Sequence, residues 1–101
     1  MSMTVVVTRN VSARVRGFLA STMLEVAAGV YSAPRASPAV QNRIWSVLEA
    51  WFPQEREASI IMLWQEREMP GGQAVRVLGS PPIKFVDVNG VLLAKRPVSG
   101  A

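Results

Sequence analysis

Three arginines, Arg9, Arg14 and Arg16, stand within eight residues, and no acid follows them until Glu25. The stretch Thr8-Arg9-Asn10-Val11-Ser12-Ala13-Arg14-Val15-Arg16-Gly17 reads as the passage from a strand into a helix. The cations therefore surround a helix N-terminus, where free amides and the helix dipole favour an anion. A guanidinium is a planar fork that can grip phosphate oxygens, so the chemistry expected here is binding of a phosphate backbone. The competing reading is a solvated helix start with scattered charges. Arg14 and Arg16 are two positions apart, about 200° around a helix, and cannot share a face. If both touch nucleic acid, they touch different phosphates, or one lies along the first turn while the other points sideways.

Other reactive types are scarce. The chain has no histidine and no cysteine. The usual general base, the Ser-His and Cys-His nucleophile pairs, thiolate metal sites and disulfides are thereby excluded. Any metal would need carboxylates and would be a hard cation such as magnesium or manganese. Glu55-Arg56-Glu57 and Glu66-Arg67-Glu68 flank a strand beside turns. Such alternating charge reads as a solvated rim, not as carboxylates converging on a metal. No catalytic residue and no metal ligand is assigned. Near the C-terminus, Phe85, Val86, Val88, Val91, Leu92 and Leu93 form an apolar strip. It either completes the chain's own sheet or adds as strands to a partner.

The elements that must position these residues follow from patterning. Met3 to Thr8 is β-branched and nearly all apolar, which predicts a central strand buried on both faces. Ser12 caps a helix expected to run to about Val26, with Val15, Phe18, Leu19, Thr22, Met23 and Val26 at helical spacing. Gly29 is its expected stop, before a short strand Val30-Tyr31-Ser32 and a loop from Ala33 to Ala36. Ser37-Pro38 starts a second helix, which Pro53 ends after Phe52. Its expected buried stripe is Val40, Ile44, Trp45, Val47, Leu48, Trp51 and Phe52. Ala58 to Trp64 is a strong strand. Pro70-Gly71-Gly72 turns the chain, and Ala74 to Leu78 returns. In the tail, Asn89-Gly90 joins Ile83 to Val88 with Val91 to Ala94 as a hairpin. The order β-α-β-α-β-β plus a tail predicts an α+β sandwich of the ferredoxin-like kind. Two helices would cover one face of a mainly antiparallel sheet.

With 101 residues there is room for one compact domain. Half of the residues are hydrophobic, including three Trp, three Phe and five Met. That exceeds what one thin core needs, so part of it is expected on a surface covered by another subunit. Net charge is +4, unevenly placed. Residues 1–48 carry +4, residues 49–68 carry −3, and residues 69–101 carry +3. A basic first half and tail around an acidic centre predict an anionic partner on one face. Met3 to Val7 is too short for a signal peptide, and no segment reaches the roughly 20 apolar residues a bilayer requires. A cytoplasmic protein with no membrane contact is expected.

The run MSMTVVVTRNVSARVRGFLASTMLEVAAGVY resembles the start of the smaller CRISPR adaptation protein in its type I-E branch. The resemblance is carried by Val5-Val6-Val7-Thr8, Asn10-Val11, Arg14-Val15-Arg16-Gly17, Leu24-Glu25-Val26 and Ala28-Gly29-Val30-Tyr31. It continues through Ile44-Trp45, Ile60-Ile61-Met62-Leu63-Trp64, Gly79 and Val86-Asp87-Val88-Asn89-Gly90-Val91. It implies a ferredoxin-like homodimer, a CRISPR adaptation subunit sandwiched between two dimers of an integrase subunit. The small dimer would carry the middle of a double-stranded protospacer DNA on a basic surface and help set spacer length. Residues 1–80 would form the ferredoxin-like domain. Residues 81–101 would be a C-terminal strand extension, docking the dimer mate and the integrase through the strip from Phe85 to Leu93. Arg14 and Arg16 match the family's phosphate-contacting pair. Relatives carry a second basic pair where this chain has Pro82-Ile83, leaving Lys84 as the nearest cation. The nucleic-acid-binding set expected is Arg14, Arg16, Lys84 and Arg9. Many members of the wider family are metal-dependent DNA or RNA endonucleases with an acid just past the first strand. Here Thr8-Arg9-Asn10 holds none, and Arg9 would repel a divalent ion. The resemblance with this departure implies a scaffold without a cofactor; Mg2+ enters only under the nuclease alternative.

Overall fold

In a computed structural model, residues 2–79 are described in full, and residues 84–88 and 91–95 by their backbone alone. The first strand, β1 (Ser2–Arg9), alternates as a half-covered strand does. Thr4 and Val6 are fully buried on one side, while Met3 on the other is 56% exposed. The sequence predicts burial on both faces; among the described residues one side is fully buried at Thr4 and Val6, and Val5 and Val7 on the other are half-buried.

Helix α1 spans Ala13–Thr22. Ser12 caps it as expected, its hydroxyl accepting from the Val15 amide at 3.5 Å. Its end falls short of the expected Val26. Met23 turns extended while its amide still bonds the Leu19 carbonyl, and Leu24–Ala27 then forms β2. Gly29 is therefore no helix stop. It lies in the turn between β2 and β3 (Val30–Ala36), at φ 76°. A Cβ there would sit 2.9 Å from the Thr8 carbonyl oxygen. Both the Thr8 amide and its hydroxyl donate to the Gly29 carbonyl, at 2.7 and 2.9 Å, docking this turn on the end of β1. The residues expected to form a loop, Ala33 to Ala36, belong to β3. Pro34 is tolerated there because pairing with β1 shifts register between Ser2 and Thr4, and β2 pairs only as far as Ser32.

Helix α2 (Pro38–Trp51) begins as predicted, with Ser37 accepting from the Val40 amide at 3.2 Å. It passes at Phe52–Gln54 into a short 3-10 turn containing Pro53. Its buried face is Gln41, Ile44, Trp45 and Leu48. Val40, expected in that stripe, is exposed, and Gln41 takes the inward place. Its amide satisfies itself by donating to Thr4 Oγ1 at 2.9 Å, as a buried polar group must. Strands β4 (Ser59–Gln65) and β5 (Gln73–Gly79) form the expected hairpin about Pro70–Gly72.

The sheet order is β2-β3-β1-β4-β5, with every neighbouring pair antiparallel. Two split β-α-β units interlock, β1-α1-β2 and β3-α2-β4, which is the ferredoxin-like arrangement with β5 added at one edge. Val15 and Leu19 of α1 and Ile44, Trp45 and Leu48 of α2 share one core with Val6, Tyr31, Ile60 and Met62. Both helices therefore cover the same face. The opposite face carries no helix among the described residues and is mostly apolar, in two cross-strand rows. One row is Leu24, Ser32, Val5, Leu63 and Val75; the other is Val30, Val7, Ile61 and Val77. Leu24 and Val77 are 66% and 39% exposed. In the tail, β6 (Lys84–Val88) and β7 (Val91–Lys95) pair antiparallel in a separate two-stranded sheet. They do not extend the five-stranded one.

Candidate nucleic-acid interface

Asn10 turns the chain from β1 toward α1 at φ 58°. Its side-chain amide donates to the Arg56 and Glu57 carbonyls at 3.2 and 3.4 Å. That ties the β1-α1 loop to the connection between α2 and β4. The same connection supplies Glu55, whose carboxylate accepts from the Ser12 amide at 2.6 Å and from the Ser12 hydroxyl at 2.8 Å. The chain's own anion thus takes the Ser12 amide, and the Ser12 hydroxyl takes that of Val15, so two of the amides at the start of α1 are occupied. Glu55 is a tether of the helix start where a solvated rim was expected. The order of residues gave no warning, since the two partners are 43 positions apart.

Arg14 leaves this helix start sideways. Its guanidinium carbon lies 3.9 Å from the centroid of the Trp51 ring, a cation–π distance. Its Nη1 also donates to Gln54 Oε1 at a long 3.5 Å. Trp51 is held in turn by Phe18, edge-on at 5.4 Å and 68°. The guanidinium thus sits over an aromatic ring beside a neutral amide, which takes up one of its five donors and no charge. Arg16 is exposed on another side of α1. Its charge is felt at the Tyr31 phenol, so the two arginines face different surroundings, as their spacing required. Arg9 is exposed at the end of β1. It lines an open cleft with Asn10, Phe52, Glu55, Glu57 and Gly79. Lys84 and the strip Phe85, Val86, Val88, Val91, Leu92 and Leu93 lie, as side chains, outside the described residues.

Sequence reasoning placed Trp51 in the core and passed over a second arginine on tryptophan. Arg76 of β5 lies 5.0 Å from the Trp64 ring centroid and donates to Asn42 Oδ1 of α2 at 2.9 Å. Only the strand register, which sets Arg76 opposite Met62 on the helix-covered face, makes that meeting visible.

Under the sheet, the Tyr31 hydroxyl is enclosed with no hydrogen-bond partner. Burial raises its pKa above 10.0; the Glu25 carboxylate, close by without forming a bond, raises it further, and Arg16 opposes both. Among the described residues no three His, Cys, Asp or Glu side chains gather to hold a metal ion. Nor is any helix among them long and apolar enough to cross a membrane. A family model described as CRISPR-associated protein (Cas_Cas2CT1978) matches residues 3–93.

Proposed function

The chain belongs to this CRISPR-associated family, and from that premise we propose that it is a homodimeric scaffold of CRISPR adaptation, of the type I-E kind. It grips a protospacer duplex by its phosphates and bridges two integrase dimers for spacer integration. The observation that carries this reading is the exposed Arg14, held over Trp51 at 3.9 Å and bonded to the neutral amide of Gln54. A guanidinium held in place loses little freedom when it takes a phosphate, which favours backbone contact without base readout. Arg16 contributes a contact from the neighbouring side of α1, and Arg9 and Lys84 extend the basic surface. A second copy of the chain supplies the cover for the open apolar face of the sheet. The strip from Phe85 to Leu93 docks the dimer mate and the integrase.

The test is a salt series of duplex titrations with the Arg14→Ala, Arg16→Ala and double variants. For each phosphate that the protein no longer neutralises, the plot of log affinity against log salt becomes shallower by about 0.9. Spacer acquisition is expected to fall in step. Wild-type affinity and slope in the double variant at moderate salt overturn the phosphate assignment. Co-purification with the integrase and a protospacer-length duplex tests the bridging role.

A further inference from the structure

Two arginines in this fold are built the same way. Arg14 lies on Trp51 with Gln54 as its neutral tether; Arg76 lies on Trp64 with Asn42 as its tether, at 5.0 and 2.9 Å. We infer that Arg76 is a second phosphate contact for the duplex, preset by Trp64 and Asn42 as Arg14 is by Trp51 and Gln54. The inference rests on the duplex-binding reading above.

Arg76 ends the cross-strand row Glu25, Tyr31, Val6, Met62, Arg76 on the face that carries the helices. Interior members of that row are sealed beneath α1 and α2, whereas Arg76 stands at the sheet edge, half-buried. The partner that fixes it is an amide oxygen, which consumes one donor and neutralises no charge. Among the described residues, its contacts are this amide and the Trp64 ring, and neither neutralises its charge. Tryptophan behind a guanidinium orients the intrinsically planar fork, which suits approach of a phosphate from the other side.

The two devices flank α2. Asn42 and Trp51 are on opposite sides of that helix and about 14 Å apart along its axis, at 1.5 Å per residue. The outer ridge between them is Ala39, Arg43, Ser46 and Ala50, small side chains and one further cation. A polyanion can come close along it. Glu49, the acid of α2, stands two turns beyond Asn42.

Full-length Arg76→Gln and Arg76→Ala proteins decide the matter in the same salt series with a labelled duplex. Arg76→Gln keeps a planar group over Trp64, so folding is preserved, and unchanged far-ultraviolet dichroism verifies it. Expected is weaker binding with a slope shallower by about 0.9, additive with Arg14→Ala. Arg76→Lys keeps the slope but not the full affinity. Wild-type affinity and slope in Arg76→Gln, while Arg14→Ala binds poorly, overturn this inference and leave the scaffold reading standing. Wild-type binding by Arg14→Ala and Arg76→Gln alike sinks both.

Discussion

At the scale of single residues, charge is placed by neighbours that are remote in sequence. Glu55 takes the Ser12 amide at the start of α1, and Trp51 and Gln54 hold Arg14 beside it. Tyr31 carries a different consequence. Its phenol is buried without a partner and keeps its proton to higher pH than in the unfolded chain, first through burial and then through Glu25. A neutral group with a raised folded pKa contributes stability that is complete below 10.0. That contribution is lost as pH rises through the folded value. Tyr31→Phe removes the unpartnered hydroxyl and the titration together. Expected is a gain of about 1 kcal/mol at pH 7 and a flatter decline above pH 10. Urea unfolding at both pH values reads both effects; a loss of stability at pH 7 would show that the hydroxyl has a hidden partner.

At the scale of elements, two glycines make opposite predictions. Gly17 lies within α1 with nothing within 4 Å of an added Cβ, so Gly17→Ala should raise stability by about 0.5–1 kcal/mol. Gly29, at φ 76° and pressed on the Thr8 carbonyl, should lose about 1–3 kcal/mol as alanine. Thermal melts of the two variants shifting the same way would contradict the turn described between β2 and β3. The helix starts at Ser12 and Ser37-Pro38 were legible because a cap is chemistry within three residues. β2 was not, because Met23 and Val26 continue the helical spacing of Val15 and Leu19. Only pairing with β3, made after the Gly29 turn, draws Leu24–Ala27 into a strand. Gln41 was hidden for a related reason: its inward place depends on Thr4, a partner 37 residues away. Arg14 and Arg16 were legible as cations on different sides of a helix. The tryptophan beneath Arg14 was not, since it depends on how α1 meets the end of α2.

At the scale of the whole molecule, both helices lie on one face of the sheet, and among the described residues the other face carries none. The apolar rows through Val5 and Val7 lie there, and a second copy is the proposed cover. Val5→Lys places a charge at the middle of that face without touching the helix-side core. Under the proposed dimer, the parent is expected to sediment as a dimer and the variant as a folded monomer at the same concentration. A dimeric Val5→Lys protein would move the interface elsewhere.

The sheet order also has a consequence for synthesis. β1 is its middle strand, yet both strands that flank it lie later in the chain. During translation at about 5–20 residues per second, β1 waits roughly 3 to 11 s before β4 is made. β3 is made sooner and pairs with one edge of β1. The other edge of this strand of valines stays open until β4 arrives, and two nascent copies on one message could pair there first. Slow codons after β1 would lengthen this exposure; an early chaperone contact would shield it.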